Sequence, residues 1–187
     1  MSALSERSES KGFTLVELLV VISIIAILTT IGLVLFSSAQ KSARDAKRIA
    51  DLNAVRNALE LFYNQTGKYP MSAGHATWSG HWANFSQCLE TGTGCGFTIS
   101  NYSPVIAKVP QDPLRKASDP FADDKTYYPG YPTGCDGQSY RLAAYLETNS
   151  QVLQTDLDGS FYHNNGGCDE TSSDYRYCIG EGTCSGW

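Results

Sequence analysis

The chain has 187 residues, with 14 basic and 19 acidic side chains and a net charge of −5. That acidic balance argues against general nucleic-acid binding, which draws on a basic surface, and the length allows one ordinary soluble domain beside an anchor. No nucleophile elbow, phosphate loop, HExxH or paired-acid motif occurs, so the sequence offers no catalytic centre and the chain is not read as an enzyme.

Residues 1–11, MSALSERSESK, are polar and Ser-rich, with no apolar face to bury, and read as a disordered leader. After Lys11 and Gly12 comes an apolar run from Phe13 to Phe36, interrupted by Thr14, Glu17, Ser23, Thr29, Thr30 and Gly32. As a helix it covers roughly 36 Å, more than the roughly 30 Å hydrocarbon core of a bilayer. A cleaved secretory signal has a shorter apolar core and a small-residue cleavage site after it. Here Ser37, Ser38 and Ala39 lead into more helix, so the segment stays on the protein. Glu17 is the one ionisable residue within the run, and such a group inside a membrane segment is a functional candidate. Snorkelling to the headgroups is its plainer reading.

Lys11-Gly12-Phe13-Thr14-Leu15-Val16-Glu17-Leu18 closely resembles the N-terminal signal of type IV prepilins and type II secretion pseudopilins. The resemblance implies that a membrane peptidase cuts after Gly12, and that Phe13 becomes the N-methylated mature N-terminus. Glu17 is then the fifth mature residue. Its carboxylate is implied to pair with the Phe13 amine of a neighbouring subunit and to set axial register during assembly. Such a pair attracts far more strongly in low dielectric than in water, and an unpaired buried charge is heavily penalised.

Phe13 to about Thr66 contains no proline. Beyond Phe36 the pattern becomes amphipathic: Ile49, Leu52, Val55, Leu59 and Phe62 recur every three or four residues on one face, with Lys47, Arg48, Asp51, Arg56 and Glu60 on much of the rest. Gly67 suits the position just past a helix end, and Lys68-Tyr69-Pro70 supplies the stop. A helix of about 54 residues, roughly 80 Å long, suits a filament subunit better than a globular domain. The pilin resemblance would place a proline near Val34, where this sequence has none.

Residues 67–100 read as a Gly-, Ser- and aromatic-rich connection. His75 and His81, with Trp78 and Trp82, match no zinc spacing and read as surface packing. Val109-Pro110-Gln111-Asp112-Pro113 resembles a turn of the major pseudopilins, and each residue before a proline is driven to extended conformations. It reads as scaffold. Gln138–Glu147 and Gln151–Thr155 flank the turn-rich Thr148-Asn149-Ser150 and predict a hairpin; Tyr127 and Tyr128 suggest an earlier strand. Asn64, Asn84 and Asn101 begin short glycosylation-type motifs that chance supplies often, and they carry no weight.

All six cysteines, Cys88, Cys95, Cys135, Cys168, Cys178 and Cys184, lie downstream of the apolar run. They read as a disulfide framework in an extracytoplasmic part. Six cysteines permit many pairings; proximity suggests Cys88–Cys95 and Cys178–Cys184, which leaves Cys135–Cys168. In the tail, Asp156-Leu157-Asp158-Gly159-Ser160 resembles part of a calcium loop, and the family resemblance implies calcium at Asp156 and Asp158. A polar turn is the alternative, since no acid stands at the twelfth position. No other cofactor is expected.

The expected fold is α+β: a long N-terminal helix, membrane-spanning and then amphipathic, packed on a small antiparallel sheet. The expected divisions are a leader at 1–12, a transmembrane half-helix at 13–36, an amphipathic half at 37–66 and a disulfide-containing head at 67–187. Counting Lys41, Arg44, Lys47 and Arg48 against Arg7 and Lys11 would place the head in the cytoplasm. The cysteines and the resemblance place it outside, because the leader must meet a peptidase at the cytoplasmic side. The resemblance therefore implies an inner-membrane precursor that becomes an extracellular or periplasmic filament. Its partners would be further copies of itself, the prepilin peptidase, an assembly platform with its ATPase, and membrane lipid before assembly. Nucleic acid would enter only for a DNA-uptake pilus. A pilus subunit, a type II secretion pseudopilin, and a tethered minor pilin with an adhesive or DNA-binding head are the three readings. The third draws on Trp78 and Trp82 as exposed aromatics.

Overall fold

The computed structural model describes residues 13–71, 78–114, 127–130, 136–157 and 175–181. The chain divides into two compact units, Met1–Gln40 and Lys41–Trp187. One helix, α1, runs through the boundary from Leu15 to Thr66.

In the first unit the large apolar side chains of α1, from Leu15 to Leu33 and at Leu35 and Phe36, are exposed on every face of the helix. The polar interruptions do not break it. Thr29 and Thr30 donate their hydroxyls to the carbonyls of Ile25 and Ala26, at 2.7 and 2.6 Å, and Ser23 donates to Val20. Satisfying these groups within the helix is what a lipid environment demands. Residues Leu15–Thr66 contain the one described helix long and apolar enough to cross a membrane.

In the second unit α1 buries the predicted face: Leu52, Val55, Leu59 and Phe62 are fully buried and Ile49 packs against them. The helix stops as its sequence directs. Gly67 adopts φ 72° and donates its amide to the Tyr63 carbonyl at 2.7 Å, a left-handed cap that glycine adopts without steric cost. The charged side of the helix differs from expectation. Arg48, assigned to the solvated face, is 1% exposed, because three carboxylates enclose its guanidinium.

The stretch 67–100 is not a plain connection. It contains α2, Trp78–Thr91, with Trp82, Phe85, Cys88 and Leu89 buried along one face. That spacing of three and four was present in the sequence, hidden among glycines and serines. A Cys88–Cys95 disulfide ties the loop after α2 back to it.

Three strands form an antiparallel sheet in the order β1-β2-β3: Tyr128–Gly130, Tyr140–Tyr145 and Arg176–Glu181. Ala143 sits opposite Tyr128 on one side and Cys178 on the other. The expected hairpin is therefore wrong. Gln151–Gln154 is a single 3-10 turn, capped by Ser150, whose one buried side chain is Leu153. Its hydrogen bonds are local, Leu153 to Ser150 and Thr155 to Val152, so no ladder can form there. β2 takes its second partner from the Cys-rich tail, which sequence reasoning left without a strand.

The core lies between α1 and the sheet. Trp82, Phe85 and Leu89 of α2 join Val109, Tyr127 and the inward side chains of β2 and β3 around Leu52–Phe62. The fold is α+β, a long helix packed with a small antiparallel sheet.

Candidate functional site

Phe13 precedes the first turn of α1 and is 87% exposed. Thr14 and Glu17 close a reciprocal cap around that turn. The Thr14 amide and hydroxyl both donate to Glu17 Oε2, at 2.9 and 2.7 Å, and the Glu17 amide donates back to Thr14 Oγ1 at 3.2 Å. This is a capping box, Thr-x-x-Glu, which satisfies helix-start amides that would otherwise lack partners. The sequence carried this signal at Thr14, and only Glu17 was singled out. Glu17 Oε2 is thus held by its own chain, whereas Oε1 has no partner among the described residues.

Residues 7–33 match the family model described as the prokaryotic N-terminal methylation motif. The N-terminus is of the prepilin type. The match supports a type IV pilin-like or pseudopilin protein and covers only the N-terminal end. No curated protein and no solved structure matches the chain.

Of the residues that a prepilin-type protein would use, Phe13 and Glu17 stand together at the start of α1, and Gly12 lies outside the described residues. The structure pairs Cys88 with Cys95, and Cys178, buried in β3, is also disulfide-bonded. Cys135, Cys168 and Cys184 fall outside the described residues, and with them the Cys135–Cys168 and Cys178–Cys184 pairings.

Asp156 Oδ2 accepts the Cys178 amide at 2.8 Å, so this carboxylate fastens the chain to β3. Asp158 lies outside the described residues, and His75, Trp78 and His81 have no described side chain. Among the described residues no group of three His, Cys, Asp or Glu side chains could hold a metal ion. Of the two expected calcium ligands only Asp156 is described, and its Oδ2 is engaged by the Cys178 amide. Trp82 is 4% exposed, with its ring against Phe85 and Tyr127. It is therefore no surface platform for glycan or DNA, contrary to the expectation.

The densest polar arrangement among the described residues lies where α1 meets the head. Arg48 donates Nε to Asp112 Oδ2 at 2.7 Å and Nη2 to Asp112 Oδ1 at 3.3 Å. Its Nη1 reaches Asp45 at 2.9 Å and Glu147 at 3.0 Å. Arg44 grips Glu147 with two bonds of 2.7 Å. Asp45 also accepts the amides of Glu147 and Thr148 and the Thr148 hydroxyl, and Asp112 accepts the Leu114 amide. One turn further on, Asp51 takes Lys47 and the Tyr127 hydroxyl.

Burial opposes the Arg48 charge, but the hydrogen bonds and charges of Asp112, Glu147 and Asp45 outweigh it and bind its proton more firmly. Hydrogen bonding from Arg44, helped by Arg48 against the opposing effect of burial, depresses the Glu147 carboxyl to about 2. Burial first, then the bond to Asp51, pushes the Tyr127 hydroxyl up. Arg48 is thereby held charged, Glu147 ionised and Tyr127 protonated at neutral pH. The cluster positions chain segments. Asp112, read from sequence as part of an inert turn, is the counter-ion that makes a buried Arg48 tolerable.

Proposed function

We propose that this protein is a structural subunit of a type IV pilus-like filament. The observation that carries the reading is the methylation motif leading straight into a helix whose first stretch, up to Phe36, exposes apolar side chains all round, with Glu17 the single carboxylate of that stretch. Such a surface needs lipid or other copies of itself to cover it. In the proposed sequence of events, Phe13–Phe36 spans the inner membrane with the head outside. Prepilin peptidase cuts after Gly12 and Phe13 is methylated. An assembly platform and its ATPase then pack the helices into a filament, with Glu17 meeting the Phe13 amine of a neighbouring copy. The role needs neither catalysis nor a bound cofactor.

A pseudopilin of a type II secretion system is the second reading. It is supported by the Val109–Pro113 turn, whose Val109 is fully buried and whose Asp112 carries Arg48. Intact-mass and N-terminal analysis of protein recovered from membranes tests the common part. A chain that starts at Phe13 with one added methyl group supports it. A chain that still starts near Met1, in cells possessing the peptidase, refutes it. Recovery of the subunit in sheared surface filaments then favours the pilus; loss of protein export on deletion, with the subunit kept in the envelope, favours the pseudopilus.

A further inference from the structure

In the head, α1 buries positions 45, 48, 52, 55, 59 and 62, at alternating steps of three and four, with Ala58 beside Leu59. From Leu52 onward they are apolar. The first two are Asp45 and Arg48, buried to 3% and 1% exposure. The opening turns of the helix are thus joined to the head by hydrogen bonds between charged groups, where the later turns are joined by apolar burial.

Those bonds reach only two short segments. One is Asp112–Leu114, through Arg48 and the Asp112 carboxylate. The other is Glu147–Thr148, through Arg44, Arg48 and Asp45. Both are loops with no ladder bonds of their own, and each adjoins a fixed point of the core: Val109 is fully buried with its amide on Glu90, and Leu146 is buried with its amide on the Tyr175 carbonyl. Asp45 and Arg48 link the two loops to each other as well as to the helix. Releasing one withdraws partners from the other.

We propose that this cluster is a latch: loops 110–114 and 147–149 open from α1 together, as one unit, while the core from Leu52 onward stays closed. Local units of this kind open at lower free energy than the whole fold when they are held by few apolar contacts. The helix keeps its own backbone bonds throughout, so opening frees the loops and leaves α1 intact. The latch gives the head a joint near Leu52 without any break in the helix, and this holds whether or not the chain enters a filament.

The amides of Leu114, Glu147 and Thr148 are direct reporters, because each donates to a carboxylate of the cluster. Hydrogen exchange is measured by mass spectrometry on the full chain in detergent micelles, at graded low denaturant, for the wild type and Glu147→Gln. The expected result is that peptides covering 110–114 and 147–149 share one opening transition, below that of Leu52–Phe62 and of β2 and β3. In Glu147→Gln both peptides should exchange faster, on the order of tenfold, with the core unchanged. Separate transitions for the two loops, or acceleration of the core by the same factor, would overturn the latch. If Glu147→Gln does not fold, the wild-type transitions alone decide.

Discussion

Replacing Asp112 by Asn tests whether the buried charges are coupled as the geometry indicates. Asparagine keeps the shape and an acceptor for the Leu114 amide, but removes the charge that faces Arg48 through two bonds. Breaking a buried pair from one side typically costs about 3–5 kcal/mol, because the other charge is left uncompensated. Arg48 would retain Asp45 and Glu147, and opening of the loops lets water reach it, so the lower end applies: about 3 kcal/mol. For a domain of this size that is a fall in Tm of about 6–12 °C. The assay is thermal unfolding of the full chain in detergent, followed by near-ultraviolet circular dichroism, which reads the packed aromatic side chains of the head. The control is Lys68→Ala. Its pair with Asp136 spans a similar 2.8 Å but is 37% and 76% exposed, so its loss should cost at most about 1 kcal/mol. If Asp112→Asn is as mild as Lys68→Ala, the reasoning from burial fails.

Three further outcomes are expected. The Glu147 carboxyl is depressed in the folded state to about 2 from its ordinary 4.5, so the unfolded chain binds the extra proton between those values. Its contribution is complete above about pH 4.5 and is lost as pH falls toward 2; acid titration of Tm should show a shallower slope in Glu147→Gln. Cys88→Ser opens a loop of sequence separation 7 and should cost about 2.5 kcal/mol by loop entropy, read as a lower denaturant midpoint; reductant should lower the wild-type midpoint at least as far, since it also opens the Cys178 disulfide. Glu17→Ala should still insert and be cleaved but assemble poorly; normal filaments from it, counted by electron microscopy after shearing, would remove the charge-pair mechanism.

Much of the helix was legible in the sequence because its signals are local. An apolar run, a spacing of three and four, and Gly67 before Tyr69-Pro70 act over neighbouring residues, and Leu52, Val55, Leu59 and Phe62 are buried as read. The sheet was harder. β3 lies in a tail whose composition resembles a loop, and its pairing with β2 depends on contacts between distant residues that no local pattern encodes. α2 was missed because Gly and Ser density outweighed the spacing of Trp82, Phe85 and Leu89. Arg48 was misplaced for a different reason. Helical spacing put it beside the apolar face, but only the arrival of Asp112 and Glu147, 64 and 99 positions away, turns a surface cation into a buried one. At the N-terminus the motif identified Glu17, while the Thr14 hydroxyl that holds it went unread.

The charges around Arg48 also bear on where an extended chain would stop in a lipid layer. Had the stripe from Phe36 to Phe62 been apolar throughout, its far end would partition into lipid as readily as its near end. Lys41, Arg44, Asp45, Lys47 and Arg48 end the uncharged stretch within a few turns of Phe36. When the head folds, Arg44 and Arg48 are taken up by Glu147 and Asp112, and Lys47 by Asp51. Of the four cations that an orientation count would tally, Lys41 is the one without an ion pair among the described residues. A boundary marker in the nascent chain thus becomes internal cement in the finished one.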